Sequence, residues 1–220
     1  MRAIVLGAGQ GYQLDGFNKL LIKDPLDGKN VIEKYIDIFG INNLTVVLGY
    51  RAINVMHNYP DINYCYNGDW GVTNNSHSLS LAISDEPCYV LSGDLFFDPK
   101  LIEQAELEGP DLVFTKKREA RTLSAINVVS NDEGRVEEVY QGKVRGASDS
   151  EAIGIFKITS SEILKAWKQN CLQYPNLFIA QNLTFDLKHS LYEMDTKDMR
   201  VDEVNNPLDY IRLLETVRIH

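Results

Sequence analysis

The sequence predicts an α/β fold with a mostly parallel, mixed sheet and helices on both of its faces. Short runs of apolar, β-branched residues alternate with longer segments whose apolar residues recur at helical spacing. The first half of the chain reads strand, helix, strand, helix, strand, which is typical of parallel strands joined by helices. We therefore expect one Rossmann-like domain over residues 1–220, with a small β-rich lobe or lid at about 116–151.

The elements are expected in a definite order along the chain. Strands are predicted at 3–6, 44–48, 62–66, 88–91, 112–115 and 152–158, with a hairpin at 125–130 and 135–140 and a short strand after 200. Helices are predicted at 31–39, 51–59, from about 76, at 101–107, from 160, at about 176–189 and at 207–214. Gly40 ends the first helix, and Asn206 with Pro207 begins the last.

Charge and cysteine content exclude several classes of protein. The net charge is −9, which argues against a protein that binds long nucleic acids. The three cysteines form neither a disulfide framework nor a zinc pattern, so we expect reduced thiols and a cytoplasmic protein. No apolar run is long enough to predict a membrane span, and a strand starts at once, so no signal peptide is expected.

A glycine-rich loop directly follows the first predicted strand. Gly7, Gly9 and Gly11 lack side chains where the backbone must turn and approach another group closely. Successive free amides in such a loop form an anion site, and Lys19 then brings a positive charge back toward it. The loop lacks the G-K-[ST] ending of a P-loop, and its third glycine is one residue early for dinucleotide binding. Phosphate binding and a plain structural turn both remain open on spacing alone.

A second candidate lies at the end of the strand predicted at 88–91. Ser92-Gly93-Asp94 follows this strand, and ligands in open α/β sheets collect outside the carboxyl ends of strands. Asp94 is therefore either a functional carboxylate or a turn or cap aspartate. The basic residues of the lobe are interpreted either as part of a lid or as a solvated loop; they are Lys116, Lys117, Arg118, Arg121, Lys143 and Arg145.

Four segments together resemble the nucleotidyltransferase superfamily that makes nucleotide sugars and CDP-alcohols. A-I-V-L-G-A-G-Q-G-Y-Q-L with N-K-L-L resembles its glycine loop and lysine motif, and V-L-S-G-D resembles its strand ending in a metal-binding aspartate. N-G-D-W-G-V-T-N-N-S-H-S-L resembles the asparagine-rich segment of the small CTP-dependent branch, and V-D-E-V-N-N-P-L-D-Y resembles the C-terminal metal-ligand segment. That branch includes phosphocholine and 2-aminoethylphosphonate cytidylyltransferases.

The resemblance implies a role for each matching residue. Lys19 would contact the phosphates at the reacting centre, and Asp94 would bind Mg²⁺ with Asn205, which stands where the family mostly has aspartate. Asn75 and Ser78 would lie near the ribose or base, although Asn75 could instead cap the following helix. The residues expected to wrap the CTP are Leu6, Gly7, Ala8, Gly9, Gln10 and Gly11.

Two departures from the family pattern affect the interpretation. Gln13 replaces an arginine expected on the triphosphate, so Lys23, Lys29 or a basic lobe residue takes over, or the affinity is weaker. Asp202 stands where one choline-binding pattern has tyrosine, which leaves a cation–π cage incomplete. Asp202 and Glu203 could instead pair with a primary amine or face solvent, and Arg145 is assigned to the same acceptor site.

The expected activity is Mg²⁺-dependent transfer of CMP from CTP to a small phosphorylated or phosphonate acceptor, with release of pyrophosphate. Phosphocholine, phosphoethanolamine and aminoethylphosphonate remain open as acceptors. The alternatives are a sugar-1-phosphate nucleotidyltransferase using UTP or dTTP, a non-catalytic nucleotide-binding regulator, and a purely structural α/β module. No nucleic acid polymer and no membrane is expected as a partner, and a homodimer is left open.

Overall fold

The computed structural model describes residues 1–117, 121–184 and 191–218, with side chains to residue 215. Its strands are β1 (Arg2–Gly7), β2 (Leu44–Leu48), β3 (Asn63–Tyr66), β4 (Cys88–Ser92), β5 (Leu95–Phe97), β6 (Leu112–Lys116), β7 (Ile126–Ser130), β8 (Val136–Gln141), β9 (Ser150–Ile158), β10 (Tyr192–Asp195) and β11 (Val201–Glu203). Its helices are α1 (Val31–Phe39), α2 (Ala52–Asn58), α3 (Asn75–Ala82), α4 (Lys100–Glu108), α5 (Ser161–Gln173), α6 (Ile179–Leu183) and α7 (Pro207–Arg218). None of the described helices is both long and apolar enough to cross a membrane.

Nine of these strands form one mixed sheet with the order β10-β6-β9-β4-β1-β2-β3, to which the β7–β8 hairpin is joined through β9. The strands β4, β1, β2 and β3 are parallel neighbours, whereas β9 runs antiparallel to both β4 and β6. The expected sheet of mixed, mostly parallel character is therefore confirmed.

Helices cover both faces of this sheet because successive residues of its buried strands point to opposite sides. In β1, Ala3 and Val5 pack in a cluster with residues of α1, α2, α4 and α7, while Ile4 packs in a second cluster with α3, α5 and α6. A near-continuous apolar strand such as A-I-V-L therefore contributes alternate residues to two hydrophobic cores, one on each face of the sheet.

The topology brings several loops to one edge of the sheet. The carboxyl ends of β1, β2, β3 and β4 lie at this edge because the four strands are parallel. The antiparallel β9 contributes its first residues there, since Ile155 pairs with Leu91 near the end of β4. Outside the large sheet, β11 pairs antiparallel with β5 over three residues and carries the C-terminal segment to the same edge.

The predicted elements agree with the structure in most places, and the exceptions are short. The strands β5 and β10 were not predicted, because each has only three or four residues. The start of the helix predicted at 176–189 is wrong, since α6 begins at Ile179 and ends at Leu183. Residues 185–189 of this predicted helix lie outside the described residues. The predicted hairpin forms as β7 and β8, and its action as a lid stays a prediction.

Candidate active site

A cleft of about 1200 Å³ opens at the carboxyl edge of the sheet. It is lined by the glycine loop after β1, the loop after β3, the end of β4, the start of β9 and the segment after β11. Every site residue named from the sequence lies in this lining except Arg145. The fold therefore brings together segments that lie up to two hundred residues apart in the chain.

The glycine loop presents bare backbone to the cleft. Gly11 has a φ of +61°, in the left-handed region that glycine adopts without strain. A Cβ on Gly9 would meet no atom within 4 Å, so the protein itself does not need a glycine there. Within the described part of the chain, no hydrogen-bond acceptor faces the amides of Gly9, Gln10 and Gly11. These amides are available to an anion, as phosphate binding requires.

A compact cluster of three polar side chains lies beside this loop. The Lys19 ammonium donates to Asp94 Oδ2 at 2.8 Å and to Asn205 Oδ1 at 2.6 Å. The Lys19 side chain is 24% exposed and that of Asp94 15%, so the pair is partly desolvated but open to the cleft. Asp94 Oδ1 is buried and has no hydrogen-bond partner among the described residues. We call Lys19, Asp94 and Asn205 the cleft cluster.

Local structure fixes each member of the cleft cluster. Asn18 caps the short 3-10 helix that carries Lys19 by accepting from the Leu20 amide at 3.1 Å. Gly93 lies so close to the Leu6 carbonyl that a Cβ would approach it to 2.8 Å, which holds the turn before Asp94 against β1. The Val204 amide donates to the Asp94 carbonyl at 3.0 Å, which brings Asn205 next to it.

Buried Tyr35 supports the same turn from the core side. Its hydroxyl donates to the Ser92 carbonyl at 2.8 Å, just before Gly93 and Asp94. Burial raises the pKa of Tyr35 well above its ordinary value, and the nearby Asp94 carboxylate adds to the effect. Tyr35 therefore remains a neutral hydrogen-bond donor at all ordinary pH values.

The oxygen atoms of the cleft cluster fit a magnesium ion. Mg²⁺ prefers oxygen ligands and keeps several waters, so one carboxylate and one amide oxygen are enough. The buried, unpartnered Asp94 Oδ1 is the observation that favours such an ion, since an orphaned carboxylate oxygen is costly to bury. Among the described residues, no three His, Cys, Asp or Glu side chains come together as a closed metal site.

Asn75 and Ser78 lie in the cleft lining, but each also has an internal partner. Asn75 Oδ1 accepts from the Ile179 amide at 3.1 Å, which holds the start of α6 against α3. The cap of α3 is Asn74, so Asn75 does not cap its own helix. Ser78 Oγ accepts from Asn67 Nδ2 at 3.0 Å in a buried contact. Their contact with a nucleotide stays a prediction.

The three residues assigned to the acceptor lie in different surroundings. Asp202 lines the cleft, and its carboxylate accepts from Arg200 Nε at 2.6 Å, while Glu203 is also in the lining. Arg145 is not in the lining: its guanidinium pairs with Glu138 at 2.7 Å and lies 3.9 Å from the centre of the Tyr140 ring. The geometry therefore gives no support to Arg145 as an acceptor residue.

Other cleft residues were not identified as site residues from the sequence. Trp70 lines the cleft and packs edge-on against Tyr50 at 5.1 Å between ring centres. Arg212 on α7 also lines it, and Arg212 Nη1 lies 3.7 Å from the Asp209 carboxylate one turn earlier. The i,i+3 spacing of Asp209 and Arg212 on the predicted last helix was the available signal for that arginine.

Several basic residues were proposed to take over the role of the family arginine, which is Gln13 in this chain, and the structure shows which of them lie at the cleft. Gln13 lines the cleft, whereas Lys23 and Lys29 do not, and Lys29 pairs with Asp37 at 2.6 Å. The described basic residues of the lobe that reach the cleft are Lys116 and Arg121. Arg121 donates to Asn127 Oδ1 at 2.6 Å, and Arg118 lies outside the described residues.

Comparison with known proteins gives a likeness in structure alone. No family model and no curated protein matches the chain. The CTP:phosphocholine cytidylyltransferase of Streptococcus pneumoniae is 20% identical, with a TM-score of 0.76 over 98% of both chains. An inositol-1-phosphate CTP transferase of T. maritima is 18% identical, with a TM-score of 0.70 over 99% of this chain and 96% of that one. A UDP-glucose pyrophosphorylase is 12% identical, with a TM-score of 0.74 over 99% and 98%.

These likenesses extend over nearly the whole length of every chain compared. The chain therefore has the nucleotidyltransferase fold, as its four sequence segments predicted.

Proposed function

We propose that this protein is a Mg²⁺-dependent cytidylyltransferase that transfers CMP from CTP to a small phosphorylated or phosphonate acceptor. The observation that carries the proposal is the cleft cluster, in which one ammonium, one carboxylate and one amide converge beside bare backbone amides. In the proposed reaction, an acceptor oxygen attacks the α-phosphorus of CTP in line and pyrophosphate leaves.

The side chains in the cleft suit this reaction because it needs positive charge rather than a base. A phosphate or phosphonate nucleophile is already ionised at neutral pH, so no group has to remove its proton. Among the described residues, the cleft lining contains neither histidine nor cysteine. Positioning and electrostatic stabilisation supply most of the catalysis in such transfers. Lys19 would neutralise phosphate charge, and Asp94 with Asn205 would hold the magnesium ion, which supplies further positive charge.

CTP is the proposed donor for two reasons. The asparagine-rich segment that runs from the loop after β3 into α3 lines the cleft through Asn67, Asn74 and Asn75, and it resembles the CTP-dependent branch. Two of the similar structures are described as CTP-using transferases. For the acceptor, Lys116 belongs to the cleft lining, and its side chain has no hydrogen-bond or ion-pair partner among the described residues, which suits an anionic acceptor group.

The second candidate is a sugar-1-phosphate nucleotidyltransferase that uses UTP or dTTP. The similar fold of the UDP-glucose pyrophosphorylase favours it. The two candidates share the cleft cluster and differ in the base and the acceptor, so one assay separates them. Each of CTP, UTP, dTTP and ATP is incubated with Mg²⁺ and either phosphocholine, phosphoethanolamine, aminoethylphosphonate or glucose 1-phosphate, and pyrophosphate is measured.

The proposal predicts pyrophosphate release with CTP and one of the three nitrogen-bearing acceptors, and none without an acceptor. Release with UTP or dTTP and glucose 1-phosphate would establish the second candidate instead. A protein that is stabilised by CTP in a thermal-shift screen but releases pyrophosphate with no acceptor would be a nucleotide-binding regulator, the role that Gln13 in place of arginine favours.

A further inference from the structure

A fully buried carboxylate lies behind the cleft, outside its lining. Asp24 is 0% exposed and accepts hydrogen bonds from two cationic side chains, Arg200 and Lys34. Burial by itself raises the pKa of Asp24, but the hydrogen bonds from Arg200 and Lys34 outweigh this and hold the pKa below its ordinary value. Asp24 is therefore an ionised carboxylate inside the protein, which is rare without full pairing.

Arg200 binds this carboxylate through both terminal nitrogens of its guanidinium. Its two terminal nitrogens donate to Asp24 Oδ2 at 2.6 Å and to Asp24 Oδ1 at 3.0 Å. The remaining nitrogen, Nε, donates to Asp202 at 2.6 Å, and the group lies 6.0 Å from the centre of the buried Phe96 ring. Such a two-point contact fixes direction as well as distance, which a lysine ammonium does not.

The positions of these residues in the chain connect the pair to the cleft cluster. Asp24 follows Lys19 by five residues, and Arg200 precedes Asn205 by five residues. The same two segments therefore meet twice, once in the core through Asp24 and Arg200 and once at the cleft through Lys19 and Asn205. The two contacts lie at the two ends of β11 and its flanking residues.

The main-chain pairing that fixes the register of β11 is short. It has three residues and, among the described residues, pairs with the three-residue strand β5 alone. Val201 and Val204 are buried in the core, and the Asn205 amide donates to Asp209 Oδ2 at 3.0 Å. One further backbone bond flanks it on each side, from the Asp98 amide to the Arg200 carbonyl and from the Val204 amide to the Asp94 carbonyl, both at 3.0 Å. A shift of one residue would move Asn205 by about 3.3 Å and turn its side chain to the other face.

We propose that Arg200, through its two-point contact with Asp24, is a positioning residue that sets where Asn205 meets Lys19 and Asp94. Neither Asp24 nor Arg200 lines the cleft, so neither touches the substrate; Arg200 acts on the cleft through β11, including its contact with Asp202 on that strand. The placement of Asn205 follows from the structure alone, whereas its effect on turnover rests on the proposed function.

The test compares two variants that each remove one partner of the same buried carboxylate. Arg200→Lys keeps the charge but loses the two-point contact, and Lys34→Met removes the other cation, which lies on α1. Both variants are expected to melt below the wild type. Only Arg200→Lys is expected to lower kcat, by about 10- to 100-fold, because a displacement of about 1 Å at the reacting centre has this scale of effect.

A double variant separates positioning from general destabilisation. In an Asn205→Ala background, Arg200→Lys is expected to change kcat less than about twofold, because the residue it positions is gone. An equal loss of kcat in both backgrounds, measured well below the melting temperature, would overturn the proposal. So would an equal loss of kcat in Lys34→Met.

A readout without substrate distinguishes failure of this proposal from failure of the proposed function. The side-chain amide signal of Asn205 is followed in ¹⁵N–¹H NMR spectra of the ligand-free protein. It is expected to move in Arg200→Lys and to stay in place in Lys34→Met. A folded Arg200→Lys with an unmoved Asn205 signal overturns the proposal, whether or not the protein transfers CMP. Arg200→Gln, which also lacks the two-point contact, gives the same test should Arg200→Lys not fold.

Discussion

Two groups of charged side chains lie close to β11, and they differ in how many of their carboxylate oxygens have a hydrogen-bond partner. In the buried group, both carboxylate oxygens of Asp24 have partners, supplied by Arg200 and Lys34. In the cleft cluster, Asp94 binds Lys19 through one oxygen only, and its other oxygen has no partner among the described residues.

The difference indicates a division of roles. A fully paired buried carboxylate has no capacity left for a ligand, so its contribution is to hold two segments of the chain together. A half-satisfied carboxylate at the rim of a cleft keeps capacity for a cation, which is the state expected of a ligand-binding group. Loss of the first should mainly affect stability and position, and loss of the second should mainly affect turnover.

The largest expected effect is on turnover in Asp94→Asn. Removal of the carboxylate takes away the anionic ligand for the magnesium ion, and turnover should fall by about 10²- to 10³-fold, as for other preorganised electrostatic contacts. Pyrophosphate release measures this. Asp98→Asn is the matched control, because Asp98 lies at the other end of the short strand β5 from Asp94. Its carboxylate accepts, among the described residues, from the exposed Lys100 amide alone, at 3.0 Å. A fall of similar size in the control would remove the special role of Asp94.

Lys19→Met should lower turnover by about 10²-fold, since the ammonium stabilises phosphate charge at the reacting centre. The variant leaves Asp94 without its charge partner in the ligand-free protein, so we also expect tighter Mn²⁺ binding without nucleotide. Electron paramagnetic resonance of free Mn²⁺ measures the affinity. Unchanged turnover together with unchanged Mn²⁺ affinity would contradict the assignment of Lys19.

Asp24→Asn should lower the free energy of unfolding by about 3 kcal/mol at neutral pH, because it leaves two partly buried cations without their carboxylate. The pKa of Asp24 is lowered by folding, so its stabilisation is complete above its ordinary value of 3.8 and is lost as the pH falls through the folded value. The stability difference between wild type and variant should therefore shrink below about pH 4. Urea titrations between pH 2 and pH 7 measure it, and a difference that is constant over this range would contradict the prediction.

The smallest expected effect is a gain in Gln13→Arg. Gln13 is exposed and lines the cleft, so an arginine there adds a positive charge close to the glycine loop. Exposed ion pairs contribute little, and we expect the KM for CTP to fall by about two- to fivefold with kcat nearly unchanged. Initial rates at varied CTP concentration measure it. A higher KM for CTP in Gln13→Arg would show that the bound triphosphate does not lie near residue 13.

The cleft cluster could be predicted from sequence, and the buried group could not. Lys19 and Asp94 follow recognisable local patterns, a glycine loop and a buried strand end, and parallel strands bring such ends to one edge. Asp24 and Arg200 lie 176 residues apart and belong to no motif, so only the packed structure pairs them. Composition and spacing carry no information about such a contact.

Other differences from the sequence-based expectations have similar physical causes. The role of Arg145 at the acceptor stays a prediction, since its exposed guanidinium pairs locally with Glu138 at 2.7 Å. The strand β5 is only three residues long, and its pairing with β11 lies outside the main sheet, so no periodicity reveals it. The helix expected from Asn176 starts at Ile179, because its first residues form a turn in which the Leu177 amide donates to the Tyr174 carbonyl.

The role of the cleft cluster in CMP transfer is tested by ³¹P NMR of CTP, Mg²⁺ and the three nitrogen-bearing acceptors with wild-type protein and with Asp94→Asn. The wild type is expected to convert CTP into equal amounts of pyrophosphate and a new CMP–acceptor phosphoanhydride, and Asp94→Asn is expected to form about 10²-fold less of both. Intact CTP with every acceptor, or equal product from the two proteins, would contradict that role.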